Sequence, residues 1–473
     1  MDQEKVIPYL IGKLEELTHR VKQLEEENIT LRDEIALLKA KNEELRARLN
    51  SNSHNSNKPP SSDGYKKRPV NPAFPKSKGG KQGGQKGHKG HTLQQVENPD
   101  KIVSCAPGKC ICGHKFTEDQ LELAEKRQVF DIPEPKLDVT EYQLYKATCP
   151  KCGGEQTGTA PDGVNAPTQY GNKVKAFAVL LNVHYKLPYK KIQSLFNDLF
   201  GYPINESTIY SSGEKCYEKL EESEEIIKSK IIASNVVHAD ETGLRIEGKL
   251  QWLHTATTRL YTYLFVHQRR GAKAIQGDKS ILDKIVGWLV HDCWYSYFNL
   301  PEKKHAICGA HILRELEGLV ETRKTKWAKV FKSFLMGIYL MPFEERVKRR
   351  ENIESKYDRI CMIGKKAEPP PVKTKGRQKR TEGRNLVERL IREKDHVLAF
   401  AFNKEVPFTN NLAERDIRPA RIKQKISNSF RTFKGAEIYA RVEGFISTAR
   451  KNQCNAFKEL CTTFEGYNFI TNL

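Results

Sequence analysis

The chain lacks any apolar run approaching the ~20 residues that a membrane-spanning helix requires, which excludes a helical membrane protein. No secretion signal is expected, since Met1-Asp2-Gln3-Glu4 offers two acids where a basic and then apolar stretch would be needed. A cytoplasmic protein is expected, nucleoid-associated whenever it is bound to DNA. Acidic residues are in short supply, with 59 Asp and Glu against 80 Lys and Arg, a net charge of +21. That deficit suits a polyanionic partner, nucleic acid ahead of an anionic membrane surface. A reducing compartment removes disulfides from consideration, so the 11 cysteines read as thiols or metal ligands. At 473 residues the chain also exceeds what one ordinary core can organise, and several domains are expected.

Residues 1–50 carry a sustained heptad pattern. Leu10, Leu17, Leu24, Leu31, Leu38 and Leu45 recur every seven residues, and Ile7, Leu14, Val21, Asn28, Ile35, Asn42 and Leu49 fill the alternate seam. Leu on one seam with β-branched residues or Asn on the other predicts a parallel two-stranded coiled coil, hence a homodimer or a higher homo-oligomer. The competing reading is one long amphipathic helix folded back on its own domain.

Residues 51–98 change character. Ser, Asn, Pro and Gly dominate, and between 51 and 91 nine Lys and Arg accompany one acid, Asp63. No core can form from this composition, so a flexible basic linker is expected, either a solvated spacer or a segment whose Lys86 and Lys89 lie along DNA phosphates. Residues 99–160 read as a small zinc-binding module, with Cys110, Cys112, Cys149 and Cys152 as thiolates and Gly113 and Gly153 supplying tight turns. Cys149-Pro-Lys-Cys152 has the usual spacing, whereas Cys110-Ile-Cys112 is one residue short and leaves Cys105 as a rival ligand. The bland alternative is a set of buried free thiols. Val129–Ala147, between the two halves, reads as strand-forming.

Helical spacing covers 161–230, over Val174–Tyr185, Tyr189–Phe200 and Glu206–Leu220. The break at Gly201–Asn205 suits a helix-turn-helix DNA-binding region, and a plain helical bundle suits it equally.

The chemistry gathers in two apolar strands that end in acids. Ser234-Asn-Val-Val-His-Ala-Asp240 and Val286-Gly-Trp-Leu-Val-His-Asp292 bracket two further strands, Leu250–Thr257 and Leu260–Val266. Carboxylates at the ends of neighbouring strands converge at one sheet edge, an arrangement that holds divalent metal. A lone strand-terminal Asp is more often a turn residue, so a third acid matters. Glu414 supplies it, on an expected helix capped near Asn410 or Asn411 and followed by Arg415, Arg418, Arg421, Lys423 and Lys425 as candidate phosphate contacts. Its bland role would be an ion pair with Arg418.

Asp240-Glu-Thr-Gly, His291-Asp292, Cys308-Gly-Ala-His311-Ile-Leu-Arg-Glu-Leu and Asn410-Asn-Leu-Ala-Glu414-Arg-Asp-Ile-Arg together resemble the transposases of the insertion sequence 66 family. Ser51–Pro60, Gly84-Gln-Lys-Gly-His-Lys-Gly-His and the tail from Phe430 to Lys451 match in the same order. The resemblance implies a multidomain α+β protein with a ribonuclease-H-like α/β catalytic core over 231–310 and 404–473. A mostly helical insertion with a basic loop occupies 311–403. Asp240, Asp292 and Glu414 would take the family's metal positions, binding two Mg²⁺ for cleavage at element ends and strand transfer into target DNA. It also implies a structural Zn²⁺ module, double-stranded DNA as the partner, and small accessory proteins encoded nearby. A dimeric zinc-containing DNA-binding regulator with an inactive catalytic fold is the alternative, and a general nuclease a third reading. Cys308 and His311 match the family without an assignable role, as a second zinc site or as buried helix packing.

Overall fold

The computed structural model describes residues 3–50, 52, 55–56, 93–300, 303–370 and 380–471. Lys86, Lys89 and most of the basic linker lie outside the described residues, as does the centre of the Pro-rich basic loop. Contacts divide the chain into two units, one of Met1–Pro75, Tyr170–Pro188 and Ile209–Leu473, the other of Lys76–Gln169 and Tyr189–Thr208.

In the smaller unit the only paired strands among the described residues are β1 (Lys146–Thr148) and β2 (Glu155–Thr157), an antiparallel hairpin around Cys149–Gly154. The strand expected over Val129–Ala147 forms only at its very end. Its apolar side chains, among them Val129, Ile132 and Val139, are exposed, so no packing surface rewards an extended ladder.

The larger unit begins with α1 (Gln3–Asn50), a single helix of 48 residues. Leu17, Leu24, Leu31, Leu38 and Leu45 are all exposed on it, so among the described residues nothing covers this seam. Just beyond its end, the Asn55 amide donates to Glu321, 2.7 Å away. Helix α2 (Asn172–Val183) belongs to this unit and α3 (Tyr189–Phe200) to the smaller one. Two helices follow, α4 (Glu206–Lys219) and α5 (Glu221–Ile232).

The sheet is mixed and five-stranded. Its strands are β3 (Val236–Ile246), β4 (Lys249–Thr257), β5 (Thr262–His267), β6 (Trp288–His291) and β7 (Lys304–Ile307), in the order β5-β4-β3-β6-β7. The first three form an antiparallel meander, and β6 and β7 run parallel to β3. A short helix, α6 (Ala272–Ile275), lies between β5 and β6.

Central position explains why β3 is apolar toward its start: Val237 and Ala239 are fully buried between β4 and β6. The expected end of this strand at Asp240 is wrong. β3 runs six residues further and turns at Glu247-Gly248, both at positive φ (53° and 74°), the geometry of a two-residue hairpin. Thr242, Gly243 and Arg245 hide that continuation from a reading based on apolar runs, because cross-strand pairing rather than propensity holds it.

Helices α7 (Gly309–Arg323), α8 (Lys326–Leu340), α9 (Phe343–Lys348), α10 (Arg350–Ala367), α11 (Glu382–Arg392) and α12 (Lys394–Phe402) follow β7. All of them but α9 share a core with β6 and β7 that includes Leu313, Phe331, Tyr357 and Val387. A second core joins β3–β5 to α2, α4, α5, α13 (Asn411–Ser427), α14 (Phe433–Lys451) and α15 (Ala456–Glu465). No helix among the described residues is long and apolar enough to cross a membrane.

Candidate active site

Register brings the first two acids together. The parallel pairing of β3 and β6 ends at His238 opposite Val290, and Asp240 and Asp292 each stand two residues beyond that last pair. There β6 stops while β3 continues along β4, with Asp240 opposite Thr255. The close approach of the strands depends on Gly287: a Cβ there would lie 2.2 Å from the Asn235 carbonyl oxygen, which accepts the Trp288 N–H at 2.7 Å.

Glu414 arrives from the other side, in the first turn of α13. Asn410 precedes this helix, but its side chain does not cap it. The buried amide donates instead to the Ala239 carbonyl at 2.7 Å, and its oxygen lies 2.9 Å from Nδ1 of His238. Asn410 thus fastens the start of α13 to the residues just ahead of Asp240. Its role was not legible in the chain, where a buried clamp and a helix cap look identical.

The acids act on one another electrostatically. Burial pushes the Asp240 carboxyl well above its usual range, and the charges of Glu241, Asp292 and Glu414 push it further; the Glu241 N–H, 2.9 Å away, opposes them. Burial likewise raises Asp292, against the Trp294 N–H at 3.0 Å and the charge of Arg270. Glu241 is raised by burial and by Asp292. It accepts two N–H bonds from Arg270 (3.0 and 2.8 Å) and the Tyr297 hydroxyl at 2.5 Å. Arg270 is itself stacked between Trp252 and Trp294, 4.9 and 4.1 Å from their ring centres. Sequence reasoning passed over this support of Glu241, Arg270 and Tyr297; the adjacent acids Asp240-Glu241 were the available signal.

The histidines beside the acids are neutral. Burial lowers His238 to about 4 and His291 to about 3, and His291 Nε2 lies 2.9 Å from Nδ1 of His305. Glu414 pairs with Arg314 of α7 at 3.5 Å, and His311 Nε2 is 3.8 Å away; Arg418, the partner first considered, is exposed.

Carboxylates are the ligands a divalent cation such as Mg²⁺ takes. Asp240, Asp292 and Glu414 are each partly buried, and the charges of Asp292 and Glu414 oppose ionisation of Asp240, a repulsion that a cation would relieve, although among the described residues the three carboxylates do not all lie within 4.8 Å of one another.

Arg415, Arg418, Arg421 and Lys425 are exposed along α13, and Arg421 Nε also donates to Thr242 at 2.6 Å. Lys423 must leave this group: it is buried, donates to the Asn182 carbonyl at 3.0 Å, and has a pKa lowered to about 8 by desolvation and Lys186. Helical periodicity separates it from its neighbours, since 423 falls on the inward face with Ala413, Ile417 and Ala420.

In the smaller unit, Cys110, Cys112, Cys152 and Cys105 are exposed and Cys149 half-exposed, which overturns the buried-thiol reading. Gly113 and Gly153 sit at positive φ (93° and 68°), and each returns its N–H to the carbonyl of the first cysteine of its pair, 2.8 and 2.9 Å away. N–H groups and the paired thiol lower the Cys112 and Cys149 pKa values, as a metal knuckle needs. The two halves are not drawn together: among the described residues no three of these sulfurs lie within 4.8 Å of one another.

A family model described as "Transposase IS66 family" matches residues 167–438, more than half of the chain. A second, described as a family of unknown function (DUF6444), matches residues 7–94. No curated protein matches the sequence.

Proposed function

The chain belongs to the IS66 family of transposases, DNA-cutting enzymes, and from that premise we propose that it is a DDE-type transposase with Asp240, Asp292 and Glu414 as its metal-binding acids. The observation that carries the reading is the parallel register of β3 and β6, which sets Asp240 and Asp292 each two residues beyond the last pair, with Glu414 in the first turn of α13 and close enough for its charge to raise the Asp240 pKa. Asp240 has no cation of the protein paired with it among the described residues, since the nearby Arg270 is bonded to Glu241. The mixed sheet, with acids where two parallel strands part, agrees with a ribonuclease-H-like core.

Bound Mg²⁺ would stabilise the charge that develops on the attacking and leaving oxygens of a scissile phosphodiester. The chain's own residues prepare that place. Asn410 ties the start of α13, the helix that carries Glu414, to β3 just ahead of Asp240. Arg270 and Tyr297 keep Glu241 fixed beside Asp240. The exposed Arg415, Arg418, Arg421 and Lys425 provide phosphate contacts along α13. Water attacks at the element end, and the freed 3′-hydroxyl then attacks target DNA, so no protein nucleophile is needed.

The remaining parts serve assembly. The exposed leucine seam of α1 supports homodimerisation, and Cys110, Cys112, Cys149 and Cys152 would hold a structural Zn²⁺ once their two turns close on it, with Cys105 as the alternative ligand. A strand-transfer assay on DNA carrying the element's own flanking ends tests the proposal. Magnesium-dependent cutting and joining support it, and DNA binding without either would leave the regulator reading.

A further inference from the structure

Beside the three acids lies a second group of metal-ligating atoms. Among the described residues, Cys308, His311 and Glu414 form the only group of three or more Cys, His and acidic side chains whose ligand atoms all lie within 4.8 Å of one another. Cys308 occupies the N-cap position of α7, and its buried sulfur accepts the Asn410 N–H at 3.1 Å. His311 is three residues on, in the first turn, so it shares the cysteine's face of the helix. Its buried Nδ1 has no hydrogen-bond partner among the described residues, while Nε2 is 3.8 Å from Glu414.

We propose that Cys308, His311 and Glu414 form a binding site for a borderline transition cation of the zinc class, which takes Glu414 away from the catalytic acids. Sulfur, imidazole and carboxylate select Zn²⁺, Co²⁺ or Cd²⁺ over Mg²⁺, which prefers oxygen ligands alone. Three protein ligands leave a fourth position for water. Binding releases the Cys308 thiol proton to solvent, and the Asn410 N–H already directed at the sulfur suits the resulting thiolate. Arg314, 3.5 Å from the same carboxylate, competes with the cation for Glu414. The site's existence is independent of the function proposed above; only the inhibitory consequence rests on it.

Co²⁺ titration of the metal-free full-length chain tests the site through the thiolate-to-cobalt absorption in the near ultraviolet. Wild type should show one tight equivalent more than Cys308→Ser, which keeps the acceptor for the Asn410 N–H. His311→Gln should weaken that equivalent, and Arg314→Met should tighten it, each by about tenfold. Identical titrations of wild type and Cys308→Ser, with both folded by circular dichroism, overturn the site. A Cys308-dependent cobalt signal from a wild-type chain that never cuts DNA with Mg²⁺ upholds the site and sinks the transposase mechanism instead. Where Mg²⁺ cutting is present, Zn²⁺ should inhibit wild type and spare Cys308→Ser. Equal inhibition of both overturns the regulatory consequence.

Discussion

The side-chain amide of Asn410 donates to the Ala239 carbonyl, 2.7 Å away, and so joins the start of the helix bearing Glu414 to the strand bearing Asp240. One buried residue couples two parts of the chain that are separated by six helices, α7 to α12.

Replacing Asn410 with Ala leaves the Ala239 carbonyl and His238 Nδ1 buried without their partner. The cost should be about 1–3 kcal/mol for each group. Cleavage should fall by about 10- to 100-fold, as when a residue supporting metal ligands is lost. Thermal melts and single-turnover cleavage measure both; full activity in a destabilised protein would show that Asn410 is merely structural.

Neutralising Asp240, Asp292 or Glu414 as Asn, Asn or Gln should each lower cleavage and joining by at least about 100-fold. Asp240→Asn should also raise the melting temperature of the metal-free protein near neutral pH. Its folded pKa lies above the ordinary 3.8, so the stability it contributes as a neutral acid is complete below that value and is lost as pH rises through the folded pKa. The gain from Asp240→Asn should therefore grow with pH and vanish in strong acid. A melting temperature that drops at neutral pH would mark Asp240 as a structural acid.

Asp416, two residues from Glu414, faces another way. It accepts bonds from Lys451 at 2.6 Å and Thr257 at 2.7 Å, tying α13 to β4 and α14. Lys451→Met strands this buried carboxylate and should cost about 3–5 kcal/mol. Cleavage per folded molecule should persist at low temperature; lost cleavage with unchanged melting would put Asp416 among the working acids.

Leu24→Pro with Leu31→Pro breaks the α1 seam and should convert dimers to monomers by light scattering, without change in the melting of the larger unit. An unaltered mass would mean that assembly lies elsewhere.

The purified chain should hold about one zinc in its cysteine module, and Cys149→Ser or Cys152→Ser should remove it. Zinc retained in both variants would exclude the pair as ligands.

Local pattern determined a good deal of this protein without help from the fold. Heptads announce α1 because a seven-residue repeat keeps one helical face apolar whatever surrounds it. Gly113 and Gly153 mark their turns because positive φ favours glycine anywhere. The apolar runs that lead to Asp240 and Asp292 are legible as strands because central strands need apolar residues. Tertiary structure alone decided the extension of β3 beyond Asp240, which depends on pairing with β4. It alone separated Lys423 from its exposed neighbours and Asp416 from Glu414, since residues so close in the chain look alike until a helix is docked. Most of all it decided the partners of Asn410, Cys308 and His311: a hydrogen bond or a shared ligand position links residues more than a hundred apart, and composition carries no record of that distance.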